Sequence, residues 1–229
     1  MKKFARLVCL DGMSKFKDTS KLLCLEKKHW AEGFLFIAGV DEVGRGPLAG
    51  PVVAAAVVLP RDVELPPVFD SKQLTAAQRE ELAVALRNLD GIDYGIAEVG
   101  VEIIDSINIL QATHLAMRLA VEKLKNVDYI LVDGRPVRGF SCPSEAVVKG
   151  DAKSASIAAA SILAKVYRDA LMDEYARVYP EYGFEHHKGY GTAEHLAALA
   201  AHGVTPIHRR TFAPVRDILN PPPEQMELF

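Results

Sequence analysis

Cysteine is scarce in this chain, and the number and spacing of the cysteines argue against a cysteine-ligated zinc site and against a disulfide framework. The three cysteines among 229 residues are Cys9, Cys24 and Cys142, an odd number without the short spacings of zinc ligands. A disulfide framework is therefore not expected. The N-terminal segment also lacks the apolar stretch and cleavage site of a secretory signal. We expect a cytoplasmic protein.

Long apolar runs are missing as well. The alanine- and valine-rich stretch 52–59 stops at Pro60, far short of the roughly 20 residues that a membrane-spanning helix needs. No membrane partner is predicted. At 229 residues and 49% hydrophobic content, the chain can bury one large core and carry a small appendage.

A strong net charge of either sign is also absent. The formal charge is −3 and the pI is about 6.2, so the overall balance does not indicate a nucleic-acid partner. The second half is locally basic, however, and this leaves open a basic surface on one face. The residues concerned are Lys149, Lys153, Lys165, Arg168, His186, His187, Lys188, His208, Arg209 and Arg210.

The most informative segment places two adjacent acids, Asp41 and Glu42, between an apolar run and a glycine-arginine-glycine turn. Burying unpaired carboxylates at a strand end is costly, and a divalent cation would offset that cost. The glycines allow a tight turn whose amide groups approach a ligand closely, and Arg45 offers donors suited to phosphate. The segment indicates a metal and a polyanion together.

Hydrophobic periodicity predicts an α/β fold in which the first two strands form a hairpin. The predicted strands are 34–41, 51–59, 92–99, 129–133 and 145–149. The predicted helices are 20–31, 75–89, 101–124, 152–178 and 193–202, with another near the end of 205–220. Thr75 and Gln78 form a capping-box signal, and 183–192 is predicted to be a polar loop.

Four acids, Asp41, Glu42, Asp133 and Asp151, each follow an apolar segment. Adjacent parallel strands bring such ends to one edge of a sheet. Oxygen ligands suit magnesium or manganese, and two such ions about 3.5–4 Å apart can clamp a phosphoryl displacement. Any one of the acids alone is equally consistent with a solvated strand end or a helix cap.

The order of the motifs resembles bacterial ribonuclease HII over about residues 30–219. The motifs are Asp-Glu-Val-Gly-Arg-Gly-Pro at 41–47, Asp-Ser-Lys-Gln-Leu at 70–74, Val-Asp-Gly at 132–134, Lys-Gly-Asp-Ala-Lys-Ser at 149–154, His-Lys-Gly-Tyr-Gly-Thr at 187–192 and His-Arg-Arg-Thr-Phe-Ala-Pro at 208–214. The resemblance implies a ribonuclease H-like mixed β-sheet flanked by helices, with a C-terminal helical extension. It also implies an N-terminal appendage at 1–33, a catalytic domain at 34–219 and a proline-led exposed tail at 220–229.

The resemblance further implies an endonuclease that cleaves the RNA strand of RNA–DNA hybrids and nicks DNA 5′ of embedded ribonucleotides. The ends would be 3′-hydroxyl and 5′-phosphate, and the cellular roles would be DNA replication and ribonucleotide excision repair. Two Mn²⁺ or Mg²⁺ ions would be held by Asp41, Glu42, Asp133 and Asp151. Asp41 would bridge both ions, Asp151 would lie toward the attacking water, and the other two toward the leaving side.

Substrate contacts are also implied by the resemblance. The turn Gly44, Arg45 and Gly46 would present backbone groups to the 2′-hydroxyl, by which proteins distinguish RNA from DNA. Tyr190 would stack on the sugar that follows the ribonucleotide. Phosphate contacts are predicted for Lys72, Lys153, Lys188 and Arg210. Without the resemblance, these residues would be interpreted as a plain hairpin turn, a packing tyrosine and solvated surface charges.

Several alternatives remain open. A ribonuclease HIII-like nuclease shares the core but adds a larger N-terminal domain, and a non-catalytic hybrid-binding module would lack or misplace one acid. The histidines His186, His187, His195, His202 and His208 could indicate a zinc site, although their spacing is irregular. Ser154 and Ser156 near Lys153 could form a serine–lysine nucleophile, but a hydroxyl-rich helix start explains them better.

The end of the chain carries one further resemblance. Gln225, Leu228 and Phe229 follow Pro221-Pro222-Pro223 and resemble the short peptide with which bacterial replication and repair proteins bind the sliding clamp. A stiff proline segment would project this peptide from the body. The alternative is a frayed terminus that packs nowhere or folds back on the core. The enzyme itself is expected to be a monomer.

Overall fold

The computed structural model describes residues 22–63 and 74–221, and these ranges contain seven α-helices and five β-strands. The strands are β1 (Ile37–Val43), β2 (Val52–Val58), β3 (Asp93–Val99), β4 (Tyr129–Asp133) and β5 (Ser144–Val147). The helices are α1 (Cys24–Ala31), α2 (Ala76–Arg87), α3 (Val101–Glu122), α4 (Ala155–Val178), α5 (Phe184–His187), α6 (Ala193–His202) and α7 (Ala213–Leu219). Lys72, Cys9 and the tail residues Gln225, Leu228 and Phe229 lie outside the described residues.

The five strands form one mixed sheet in the order β3-β2-β1-β4-β5. The β1–β2 and β2–β3 pairs are antiparallel, whereas β1, β4 and β5 run parallel. The predicted hairpin and the predicted mixed α/β sheet are therefore confirmed. The three parallel strands direct their carboxyl ends to one edge, as the clustering of acids requires.

Helices cover both faces of the sheet. Helix α4 packs on one face with α2 beside it, and α3 packs on the other, so all seven residues of β2 are buried. Gly39 allows α4 to approach closely, because a Cβ at that position would lie only 2.2 Å from the backbone nitrogen of Ile157. The small residues at the start of α4 bring its backbone against the centre of the sheet.

Two local predictions were wrong. The strand predicted to run to Lys149 ends at Val147, because Lys149 adopts a left-handed conformation (φ 56°) and a 3₁₀ turn, Gly150–Ala152, follows. The segment 183–192 is not a loop throughout, since α5 forms within it. Phe184 is fully buried against Tyr182 there, so tertiary packing stabilises a helical turn that its polar neighbours do not predict.

The C-terminal extension packs in a hydrophobic cluster that joins Phe184 and Leu199 to Leu48 and to α4. Backbone hydrogen bonds attach it to the segment that follows the glycine-rich turn. The amide of Leu48 donates to Gly189 O at 2.8 Å, and the amide of Arg209 donates to Leu48 O at 2.8 Å. The predicted helical extension is confirmed, and it lies beside the turn.

Helix α1 packs against the sheet and the start of α4, although it belongs to the predicted appendage. Glu26 is 1% exposed. Its Oε1 accepts hydrogen bonds from Ser154 Oγ at 2.5 Å, Ser156 Oγ at 2.7 Å and the Ser156 amide at 3.0 Å. His29 stacks on Tyr129 with ring centroids 3.9 Å apart. Both serines are thus structural, and Ser154 also caps α4 through the Ile157 amide.

None of the helices among residues 22–63 and 74–221 is both long enough and apolar enough to cross a bilayer.

Replacing Glu26 with alanine should destabilise the protein. Three buried donors at the start of α4 would lose their acceptor, so we expect the free energy of unfolding to fall by about 2–4 kcal/mol. Urea unfolding followed by circular dichroism measures this difference. The control is Lys27→Ala on the exposed side of the same helix, which should change stability by at most about 0.5 kcal/mol. Equal stability of the two variants would contradict a stabilising role for Glu26.

Candidate active site

Asp41 and Asp133 lie side by side at the carboxyl ends of neighbouring parallel strands. The register pairs Val40 of β1 with Val132 of β4, and each aspartate is the next residue of its strand. Because side chains alternate along a strand, Asp41 shares the face of Gly39, against which α4 packs. Asp133 likewise shares the face of Leu131, which packs with Ile157 of α4.

Asp151 reaches the same edge by way of the 3₁₀ turn after β5. The amide of Gly150 donates to Asp133 Oδ1 at 2.6 Å, which ties the turn to the end of β4. Asp151 is the next residue and is 8% exposed, compared with 7% for Asp41. The sequence placed Asp151 at a strand end. The structure instead places it in this turn, at the same edge of the sheet.

Burial and mutual repulsion dominate the electrostatics of these acids. Burial, together with repulsion from Glu42 and Asp133, raises the pKa of Asp41 to about 8, against hydrogen bonds from Ser161 and the Glu42 amide. Burial also raises the pKa of Glu42, which Arg45 opposes through a contact of 3.3 Å. The charged forms of Asp41 and Glu42 are therefore unfavourable in this environment, and a bound cation would stabilise them.

The donor set fits a hard divalent cation, because it consists of carboxylate oxygens at one edge of the sheet. Within residues 22–63 and 74–221, no three His, Cys, Asp or Glu side chains stand in an arrangement that could hold a metal ion as they are. The carboxylates would have to close around an ion.

The glycine-rich turn and Tyr190 meet beside the acids. Gly44 has φ +90°, a conformation that favours glycine. A Cβ at Gly46 would lie 3.4 Å from Tyr190 Cε1. Tyr190 is nevertheless 44% exposed, so its ring covers the turn on one side and remains open to a ligand on the other.

The predicted phosphate contacts have different surroundings. Lys153 lies two residues after Asp151 and is exposed. The ammonium group of Lys188 bonds to Asp173 on α4. Arg210 is exposed, and its amide donates to Asp105 Oδ2 at 2.9 Å. These three residues remain candidates for phosphate binding.

The basic surface considered from the sequence is partly wrong. His187, His208, Arg168 and Arg209 are buried and cannot contribute to an exposed face. The two arginines bond to main-chain carbonyls in and after the glycine-rich turn, Arg168 to Ala49 and Arg209 to Gly44, a role that the sequence did not predict. Their charge predicted exposure, and no local pattern identifies a carbonyl acceptor more than 100 residues away.

The buried histidines form a hydrogen-bonded cluster. His187 contacts the Tyr182 carbonyl and the Gly189 amide through its two ring nitrogens. His195 contacts the Tyr190 carbonyl and His208, whose other nitrogen contacts Thr205. Burial lowers the pKa of His195 and lowers that of His208 to about 4. With every ring nitrogen engaged, the cluster serves packing, which favours the structural interpretation over zinc binding.

Comparison with known proteins agrees with this geometry. The family model described as Ribonuclease HII matches residues 38–215. The chain belongs to the ribonuclease HII family. It is 55% identical over 203 residues to the Ribonuclease HII of Endomicrobium trichonymphae, covering 88% of this chain and 96% of that protein. It is 50% identical to that of Clostridioides difficile (strain 630) over 89% of this chain and 80% of the relative.

Solved structures show the same fold. The ribonuclease H2 of Pyrococcus horikoshii OT3 superimposes with a TM-score of 0.65 at 32% identity, covering 80% of this chain and 96% of that one. Bst-RNase HIII in complex with Mn²⁺ gives 0.62 at 19% identity over 81% and 69% of the two chains, which shows the fold alone. The chain is thus a type HII ribonuclease H, an endonuclease of RNA–DNA hybrids.

Proposed function

We propose that this ribonuclease HII nicks DNA on the 5′ side of an embedded ribonucleotide, as well as cleaving hybrids, by hydrolysis that depends on two divalent ions. The ends are 3′-hydroxyl and 5′-phosphate. The observation that carries the proposal is the pairing of Asp41 and Asp133 at one sheet edge, with the turn of Asp151 bonded to Asp133. This function belongs to the cytoplasm, in replication and ribonucleotide repair.

Asp41, Glu42, Asp133 and Asp151 would hold the ions. When bound, Mn²⁺ or Mg²⁺ supplies the Lewis acidity that activates water and stabilises the departing 3′-oxygen. Main-chain donors restrain two of these carboxylates: the Gly150 amide donates to Asp133 Oδ1 at 2.6 Å, and the Glu42 amide donates to Asp41 Oδ1 at 2.7 Å. Asp41 is only 7% exposed, so its side of the site is largely closed to water.

Replacing Asp133 with asparagine tests the role of the acid cluster. The amide keeps the shape of the side chain but removes a full charge, so cleavage should fall by at least about a hundredfold. Binding of the hybrid should largely survive. The measurement is single-turnover cleavage of a labelled RNA–DNA hybrid in Mg²⁺ and in Mn²⁺.

The matched control for this test is Asp217→Asn, which alters an exposed carboxylate paired with Arg216 at 2.9 Å. It should retain the rate of the unaltered enzyme. Near-normal turnover by Asp133→Asn in both metals would overturn the assignment of Asp133.

Recognition of the ribonucleotide is the second part of the proposal. The turn Gly44-Arg45-Gly46 presents its amides to the 2′-hydroxyl, and Tyr190 stacks on the following sugar. The 3.4 Å approach of Tyr190 to the Cβ position of Gly46 supports a joint site. The exposed ring of Tyr190 gives the sugar a surface to stack on.

Tyr190→Ala should separate selectivity from chemistry. Loss of stacking should lower cleavage of single-ribonucleotide DNA, relative to an all-RNA hybrid strand, by about fivefold to a hundredfold. Both substrates are measured with one enzyme preparation. Tyr94→Ala is the control, because Tyr94 is comparably exposed on the edge strand β3. An unchanged ratio between the two substrates in Tyr190→Ala would refute the junction-sensing role.

A sliding clamp is proposed as partner of the C-terminal peptide. One similar structure is a PCNA:RNase HII complex from Archaeoglobus fulgidus, with a TM-score of 0.68 at 26% identity, covering 80% of this chain and 96% of that one. That complex supports clamp binding by this chain. Leu228 and Phe229 would enter an apolar pocket of the clamp, while Gln225 would supply hydrogen bonds.

Deleting residues 225–229 should abolish binding to a purified bacterial sliding clamp, because the apolar anchors are lost. Calorimetric titration of full-length and shortened protein measures this. Cleavage of a short duplex should be unchanged. Glu227→Gln, which leaves Gln225, Leu228 and Phe229 in place, is the control. Equal affinity of the shortened chain, or no affinity of the full chain, would dispose of the clamp role.

A further inference from the structure

Two arginines beneath the glycine-rich turn are completely buried. Arg168 on α4 and Arg209 before α7 are both 0% exposed. The seven hydrogen bonds that the described residues show for their guanidinium groups all end at main-chain carbonyl oxygens. Removing a guanidinium from water is costly, and burial lowers the pKa of both groups. Packing alone therefore does not explain why two such costly groups are buried here.

The acceptors of these bonds show what is held. Arg209 donates to the carbonyls of Gly44 at 2.5 Å and Arg45 at 2.8 Å, and twice to Gly50 at 2.9 and 3.0 Å. Two residues of the proposed 2′-hydroxyl reader therefore turn their carbonyls inward to one guanidinium. The planar fork of arginine spreads its donors over three nitrogens, which lets one side chain reach three separate carbonyls.

Arg168 bonds to three further main-chain carbonyls near the turn. It donates to the carbonyls of Pro51 at 3.0 Å, Ala49 at 3.1 Å and Lys188 at 3.0 Å. Lys188 lies two residues before Tyr190, so this guanidinium ties the tyrosine segment to the strand that follows the turn. A Cβ at Gly44 would lie 2.2 Å from Arg168 Nε, so the arginine also supports the turn from beneath.

Peptide geometry converts inward carbonyls into outward amides. In a planar trans peptide the C=O and the following N–H point in opposite directions. Holding the Gly44 carbonyl inward therefore directs the Arg45 amide outward. Holding the Arg45 carbonyl inward does the same for the Gly46 amide.

We propose that Arg168 and Arg209 are positioning residues for ribonucleotide recognition, which hold the amides of Arg45 and Gly46 and the Tyr190 segment in one binding geometry. This inference rests on the proposed function, because it assumes that the turn reads the 2′-hydroxyl. The two arginines do not touch the substrate. They act through the backbone that does.

Arg209→Lys and Arg168→Lys test this role, since lysine keeps the charge but carries its three donors on a single nitrogen, which cannot reproduce hydrogen bonds made from three separate nitrogens. The measurement is discrimination, defined as the affinity for a duplex with one ribonucleotide divided by that for the same all-DNA duplex. It is made by fluorescence anisotropy in Ca²⁺ with the full-length protein. Each variant should lose at least about tenfold in discrimination, a change of about 1.4 kcal/mol. A general loss of stability would lower both affinities and leave the ratio unchanged.

Arg216→Lys is the matched control, because Arg216 is exposed and bonds to its neighbour Asp217. Its discrimination should equal that of the unaltered enzyme. Hydrogen exchange gives a second measurement: amides of residues 44–50 should exchange faster in Arg209→Lys than in Arg216→Lys. Gly44→Ala offers a variant that keeps both arginines, and it should lose discrimination because its methyl group would displace Arg168.

Failure of the proposed ribonucleotide recognition and failure of the positioning role would give different results. If the unaltered enzyme shows no discrimination, the proposed ribonucleotide recognition is wrong. If it discriminates and folded Arg209→Lys and Arg168→Lys do so equally well, the positioning role is wrong. Should the variants fail to fold, the Nε–H protons of both arginines can be followed by NMR in the unaltered enzyme. Slow exchange of these protons would support the positioning role of the two arginines, and exchange as fast as that of Arg216 would overturn it.

Discussion

Repulsion among carboxylates that are held together in a poorly hydrated place is the constraint on which this structure depends. Asp41 and Asp133 are brought side by side by the register of two parallel strands, and burial raises the pKa of Asp41 to about 8. The backbone of the sheet prevents the acids from separating. The dry, two-sided packing of α3 and α4 supplies the rigidity, since flexible loops would let the charges move apart into water.

The two buried arginines near that cluster bond to neither Asp41 nor Asp133 in the part of the chain that the structure describes. Buried arginines usually bond to carboxylates, and a bidentate pair with Asp41 or Asp133 would satisfy both groups. It would also occupy the oxygens that a cation needs. Arg168 and Arg209 bond instead to carbonyls, which neutralise no acid. The protein thus stabilises the turn with positive charge while the carboxylates remain available for metal.

Local patterns in the sequence predicted much of the fold and the sheet edge that Asp41 and Asp133 share. The strands, the hairpin and the capping box of Thr75 with Gln78 follow from alternation and short-range hydrogen bonding, and the structure confirms them. The convergence of the acids followed from strand ends. What could not be predicted rests on distant partners: the carbonyl acceptors of Arg209, the burial of Glu26 against Ser154 and the helical turn around Phe184. The sequence around a charged residue does not indicate that its partner lies 100 residues away.

Helix α1 is connected to the candidate active site through hydrogen bonds. Glu26 bonds to Ser154 and Ser156 at the start of α4, immediately after the turn that carries Asp151. The Ser154 amide also donates to Gly150 O at 2.8 Å, and Gly150 in turn contacts Asp133. A continuous set of short hydrogen bonds therefore leads from the N-terminal helix to the acid cluster. Each contact restrains the next, so a segment that touches no ligand contributes to the order of the residues that do.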